Sequence, residues 1–299
     1  MIKPNHNILQ TNPIIAMIVI EAIVGGDNVV SVQVTEAFIQ GKVNDEKCED
    51  TIVNTSDFIA IVDGVTSKSN FQYQGKTTGK LASTMIASIL ERLPKDATLS
   101  MLIKQVNQAF AAFYQKIDFP VDRDSQGLQA VAVVYSRFRN ELWQVGDAQI
   151  NLDGRLLTNP KPSDLVLSNM RSLILRLSPD DKQSDPGRKA ILPWILKATQ
   201  FANATDSEWG YAIFNGQPIP DSLLKVYPLS SGEHEIVLAS DGYPKAAVNL
   251  AESEAGLREV LQNDPTCSHE YRSTKGIVSG NRSFDDRSLI HFKVIAKLI

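Results

Sequence analysis

Cysteine is scarce: Cys48 and Cys267 are the only two in 299 residues, too few for a disulfide framework or a cysteine-based zinc site. A reducing compartment is the simpler setting, so the expected location is cytoplasmic. Histidine is scarce as well. His6, His234, His269 and His291 show no ligand spacing, which argues against zinc. Basic charge is in deficit, with 30 Lys+Arg against 34 Asp+Glu and a formal net charge of −4. No basic run is interleaved with aromatics, so neutralising a nucleic acid over a broad surface is excluded. Long apolar runs are missing too. The most apolar stretch, 14–24, is broken by Glu21, is too short to cross a bilayer and lacks the features of a signal peptide. It reads as a buried strand, and neither a membrane nor a nucleic acid is expected as a partner. A complete P-loop is also absent: Gly75-Lys76-Thr77 would need a glycine where Asn70 stands.

What is present alternates strand-type and helix-type patterns, without linkers or repeats. At 43% hydrophobic and 21% charged residues, the chain has the composition of a soluble globular protein. Residues 14–40 predict two strands split at Gly25-Gly26-Asp27-Asn28, and 50–53 with 58–62 predict a hairpin around Asn54-Thr55-Ser56. Leu81, Met85, Ile86, Ile89, Leu90 and Leu93 recur at helical spacing over 79–93, with Pro94 as the stop. Thr98 is the expected cap of a second helix carrying Leu102, Ile103, Val106, Phe110 and Phe113 on one face. Residues 128–137 and 141–152 predict paired strands turning at Arg139-Asn140. A further helix is expected over 246–263 and a last strand over 288–295. Residues 155–232 are less regular, with helices expected at 163–177 and 190–203 around a polar stretch at 178–188. Such an insertion reads as a flap, and Trp143, Trp194 and Trp209 read as core or flap anchors. Two batches of strands with helices between them suggest an α+β layered domain.

Two segments echo each other. Phe58-Ile59-Ala60-Ile61-Val62 runs into Asp63-Gly64, and Ile236-Val237-Leu238-Ala239-Ser240 runs into Asp241-Gly242. Each is a continuous apolar run delivering an aspartate at its end, held by a rigid element yet able to reach solvent or a metal. Taken alone, either Asp-Gly reads first as a common turn dipeptide. Glu49-Asp50 ahead of the first run and Asp285-Asp286 ahead of the last strand change the odds. Hard divalent cations take carboxylate, carbonyl and water oxygens.

In that order, together with Gly146-Asp147 and Asp285-Asp286-Arg287-Ser288-Leu289-Ile290, these motifs resemble the metal-dependent protein phosphatase family PP2C/PPM, especially its shorter bacterial members. The match runs over about 41–294. The resemblance implies a single domain over 1–299, built as a four-layer α-β-β-α sandwich of two antiparallel sheets flanked by helices. It implies two Mg²⁺ or Mn²⁺ ions, and hydrolysis of phosphoserine or phosphothreonine by a hydroxide bridging them. Asp63 would bridge both ions, Gly64 would offer its carbonyl, and Asp241 and Asp285 would ligate one ion. Asp50 would act largely through water. Glu49, Asp147 and Asp286 would support the site. Asp124, or failing it Asp122, would serve a weaker third ion.

The departures are local. No arginine precedes Glu49-Asp50, so Lys42 or Lys47 would have to hold the phosphate, as a point charge without the bidentate fork. Val65-Thr66-Ser67-Lys68 stands where a glycine pair or a histidine general acid is usual. Tyr243-Pro244-Lys245 replaces Trp-Asp, which argues against a well-formed third site. The expected function is a protein phosphatase with phosphoprotein substrates and a cognate Ser/Thr kinase. The alternatives are a non-catalytic regulatory domain and a phosphatase for a small phosphorylated metabolite.

Overall fold

Period-two apolar runs build two sheets, and 3.6-period runs build the helices that cover them. The computed structural model describes residues 21–25, 28–66, 68–119, 121–178 and 185–298. The expected strand residues 14–20 lie outside that set. β1 (Glu21–Gly25) and β2 (Asn28–Gln40) form one hairpin, and β3 (Thr51–Asn54) and β4 (Phe58–Gly64) form another. The small pair β5 (Gln72–Tyr73) and β6 (Lys76–Thr77) leads into α1 (Thr78–Leu90), then α2 (Leu99–Lys116) and the single turn α3 (Arg123–Gln126). Strands β7 (Ala130–Ser136), β8 (Glu141–Val145), β9 (Gln149–Leu152) and β10 (Arg155–Leu157) follow, then α4 (Pro162–Leu177) and α5 (Pro186–Lys197). The chain closes with β11 (Lys225–Pro228), β12 (Gly232–Ala239), α6 (Leu250–Asn263) and β13 (Arg287–Leu298).

One sheet has the order β1-β2-β13-β12-β9-β10 and the other β11-β8-β7-β4-β3, and the pairing within both is antiparallel. Strand parity sorts the side chains. Ile59 and Ile61 of β4 pack inward with Val131 and Val133 of β7, meeting Ile236 and Leu238 of β12 and Ile290 and Phe292 of β13 from the other sheet. Phe58, Ala60 and Val62 point outward, onto Ile86 and Leu90 of α1 and Leu102, Val106 and Phe110 of α2. Val237, Ala239 and Leu289 face outward from the other sheet, beneath Leu257 of α6. The fold is therefore α+β with four layers, α-β-β-α. Each fully buried large apolar side chain contributes about 1.5–3 kcal/mol.

Three expectations change. The run 141–152 is two strands, not one: β8 pairs with β7 in the five-stranded sheet, whereas β9 pairs with β12 in the six-stranded sheet. Gly146, at φ +88°, makes the crossing, and an added Cβ there would lie 2.2 Å from Val131 Cγ1, so a side chain is excluded. The helix expected at 190–203 starts earlier, at Pro186, and breaks into a 3₁₀ turn after Lys197 (Ala198–Phe201), because Asp185 caps it and proline fits its first turn. Trp194 on this helix is 51% exposed and is not a core residue, whereas Trp143 is.

Within 155–232, β10 and β11 extend one edge of each sheet, while α4 and α5 stand over one end of the sandwich. Arg171 of α4 fixes that placement. Its buried guanidinium donates to the Asp185 carboxylate (2.7 Å for the shortest bond) and to the carbonyls of Thr266 (2.8 Å), Ser273 (3.0 Å) and Cys267 (3.1 Å). The helical pair is thereby tied to the segment that carries Lys275.

Candidate metal centre

Register alone brings the acidic motifs together. Thr51 pairs with Val62, so Asp50 falls beside Asp63 at the end of the β3–β4 ladder. The Ser240 amide donates to the Ser288 carbonyl at 3.0 Å, which sets Asp241 beside the Asp285-Asp286 approach to β13. Asp63 has the parity of Ile59 and Ile61, so it continues the inner face and emerges where the sandwich opens. Ser288 has the parity of Ile290 and Phe292. It reaches across the sandwich, and its hydroxyl donates to Asp50 Oδ2 at 2.7 Å.

At this open end Asp63, Asp147, Asp241 and Asp285 line a single cavity of about 330 Å³, roofed by residues of α4, α5 and the 271–275 segment. The carboxylates act on one another. Burial, then Asp50, Asp241, Asp285 and Asp147, push the Asp63 carboxyl well above the usual carboxylate range. Burial and Asp285 push Asp241 up to about 6, against the pull of Lys275. Burial, with Asp286 and Asp285, pushes Asp50 up to about 7 despite the Ser288 hydroxyl. Among the described residues, Asp50 Oδ1 is buried without a hydrogen-bond partner, a cost of roughly 1–3 kcal/mol for the free protein.

Two lysines offset part of this charge. Lys42 Nζ lies 3.1 Å from Asp285 Oδ1, 3.4 Å from Asp286 Oδ2 and 3.7 Å from Glu49 Oε2, and donates to Thr66 Oγ1 at 2.9 Å. Lys275 pairs with Asp285 Oδ2. Burial alone would raise Asp285, but Lys275 and Lys42 hold it down to about 2. Asp286 accepts the amides of Lys42 (2.7 Å) and Glu49 (3.1 Å) and so fixes the loop ahead of β3. Glu49 lies over the start of α1, where Thr77, the α1 cap, donates to its Oε1 at 2.6 Å.

Among the described residues, no three Asp, Glu, His or Cys side chains stand close enough together to hold one ion. The donor set nevertheless suits a hard divalent cation. It is all oxygen, it repels itself at Asp63 and Asp241, and it includes an orphaned buried carboxylate oxygen at Asp50.

The other expected residues do not all join the cavity. Lys42 is committed to carboxylates and Lys47 is exposed on the 3₁₀ turn Asp45–Lys47; neither lines the cavity. The side chain of Asp124, in α3, lies outside the described residues, and Asp122 is exposed just before it. Lys245 is exposed. Asp147 pairs with Lys161 at 3.1 Å, linking the strand crossing to the start of α4. Sequence reasoning missed Lys68, Lys161, Arg188 and Lys275 on the cavity wall, residues in loops or a helix with no periodic signal. Ser240 and Ser288 carried one: a serine at inward parity in an apolar strand needs a buried partner.

Gly64 permits a close backbone approach here. An added Cβ would lie 2.3 Å from the Gly79 carbonyl oxygen and 2.7 Å from that of Glu49. Gly64→Ala is therefore expected to cost at least the roughly 1–3 kcal/mol typical of overpacking, read as a lower urea midpoint at unchanged m-value. An unchanged midpoint would show that the packing around Asp63 is loose.

No family model and no curated protein matches this sequence. Solved structures do. The serine/threonine phosphatase PstP/Ppp of Mycobacterium tuberculosis is 15% identical, with a TM-score of 0.46 over 88% of this chain and 97% of that one. A PstP catalytic domain in complex with two manganese ions is 17% identical, with a TM-score of 0.47 over 90% of this chain and 99% of that one. A serine/threonine phosphatase of Staphylococcus aureus is 14% identical, with a TM-score of 0.44 over 86% of this chain and 93% of that one.

Proposed function

We propose that this chain is a metal-dependent phosphomonoesterase of the PP2C/PPM type, removing phosphate from phosphoserine or phosphothreonine in proteins. One observation carries the reading: Asp63, Asp241 and Asp285, far apart in sequence, line one cavity at the open end of the sandwich. Asp63, the Gly64 carbonyl, Asp241 and Asp285 would hold two Mg²⁺ or Mn²⁺ ions, with Asp50 behind them. When bound, such ions supply Lewis acidity, lowering the pKa of water and neutralising phosphoryl charge.

The protein's own groups prepare the site. Lys42 and Lys275 keep Asp285 ionised down to about pH 2, so it presents an anion throughout the working range. Burial, with Asp286 and Asp285, holds the Asp50 carboxyl up at about 7, and its Oδ2 accepts from the Ser288 hydroxyl. Asp286 holds the loop that presents Glu49 and Asp50. The helices α4 and α5 supply part of the cavity wall.

The lysine pairs on Asp285 favour a second reading, a non-catalytic domain that keeps the fold and binds a partner. Hydrolysis of p-nitrophenyl phosphate separates the two. Turnover should require Mn²⁺ or Mg²⁺, stop with EDTA, and fall in Asp241→Asn by at least the 10–100-fold typical of losing an outer-shell metal partner. Absence of metal-dependent turnover in the wild type would leave the binding-domain reading. Phosphopeptide and phosphometabolite panels then separate a protein substrate from a small one.

A further inference from the structure

The cavity that presents the carboxylates is also lined by four cations, Lys68, Lys161, Arg188 and Lys275. Lys161 and Lys275 have carboxylate partners, Asp147 and Asp285. Among the described residues, neither Lys68 nor Arg188 makes an ion pair within 4 Å. Arg188 Nη1 donates to the Thr274 carbonyl at 3.0 Å, which orients its guanidinium, and Asp164 is the acidic neighbour that acts on both. Burial, then Lys161, Arg188 and Lys275, push the Lys68 amine down to about 8. An anion placed among these groups relieves that repulsion. The start of α4 borders the same space. Pro162 occupies its first turn, the Lys161 side chain at the N-cap does not cap it, and Ser163 and Asp164 line the cavity. Lys42, one of the two cations that the sequence offered for the phosphate, is held by Asp285, Asp286 and Glu49, and neither it nor Lys47 lines the cavity.

We propose that Lys68 and Arg188 form the phosphate-gripping pair of this site, taking the non-bridging oxygens of a phosphoryl group bound in the cavity. The assignment rests on reading the site as that of a phosphomonoesterase and supplies the grip that the missing arginine would have given. Arg188 contributes a planar fork and Lys68 a mobile point charge. Because Arg188 belongs to α5, the helical pair over the cavity becomes part of the substrate site rather than only its cover.

Calorimetric titration of inorganic phosphate into the full chain with EDTA present tests the pair independently of turnover. Wild type should bind saturably. Lys68→Met and Arg188→Gln should each weaken binding by about 10-fold or more, the usual size of a charge-assisted contact. Lys68→Arg should retain affinity within about threefold, and Asp241→Asn should bind at least as tightly as wild type. Melting curves establish which variants are folded; should a neutral variant unfold, Arg188→Lys, which keeps the charge but loses the fork, should still weaken binding. No saturable binding by wild type, or equal binding by wild type, Lys68→Met and Arg188→Gln, overturns the proposal. Loss of binding in these variants without any metal-dependent turnover would keep the anion site and remove the hydrolase reading.

Discussion

Asp63→Asn is expected to lower metal-dependent phosphate-ester hydrolysis sharply while making the metal-free protein more stable at neutral pH. The two effects have one cause. Asp63 is a carboxylate pressed among Asp50, Asp241, Asp285 and Asp147 at the end of a rigid strand, and burial with those neighbours raises its pKa well above the usual range. In the unfolded chain it titrates near 4. Between that value and the folded pKa the native state binds more protons than the unfolded state, so stability falls as pH rises. Asp241, pushed up to about 6, and Asp50, pushed up to about 7, act in the same direction, so metal-free wild type should lose stability between about pH 4 and pH 7. Asparagine preserves the shape and removes one of the repelling charges. Melting in EDTA from pH 5 to 8 should show Asp63→Asn flatter, and roughly 5 °C higher at pH 7.5, if 1–2 kcal/mol is released. Turnover with Mn²⁺ should fall by roughly the 10²–10³-fold that losing one preorganised electrostatic group costs. A variant less stable than wild type at every pH would mean that Asp63 is a structural partner and that the acidic cluster is not strained.

Lys275→Met should have the reverse signature: tighter Mn²⁺ binding and a weaker metal-free protein. Lys275 pairs with Asp285 Oδ2, and together with Lys42 it holds Asp285 down to about 2. A depressed carboxylate pKa stabilises the fold above the unfolded value near 4, and that stability is lost as pH falls toward 2. Removing Lys275 therefore lowers stability at neutral pH and moves acid unfolding to higher pH. The same ammonium repels any cation that approaches Asp285. Two unit charges at 4 Å interact by about 4 kcal/mol near a protein surface, so even heavy screening leaves roughly a 10-fold or larger gain in Mn²⁺ affinity. Calorimetry with Mn²⁺ reads this directly. Unchanged or weaker binding would show that the lysine does not compete for the carboxylate.

Much of the scaffold was legible because its signals are local and periodic. Thr98 caps α2 through the Met101 amide, and the apolar spacing after it marks the face that packs on the sheet. The continuous apolar run 58–62 marks a strand buried on both faces, and the packing of helices on one face and the other sheet on the second sets the direction of Asp63. The break of 141–152 at Gly146 was harder to see. Both halves are apolar enough to be strands, and only the second sheet shows that the glycine is a crossing rather than a step within one ladder.

The sequence by itself determined the layered scaffold and the aspartates at its strand ends, since a strand's periodicity dictates where its last side chain points. Only the tertiary structure decided the rest: that Lys42 is spent on Asp285 and Asp286, and that Lys68, Arg188 and Lys275 converge on the same cavity. Those cations sit in loops and on a helix separated by long stretches of chain. Their meeting follows from how α4 and α5 are tied down by Arg171, a long-range contact for which no local pattern exists.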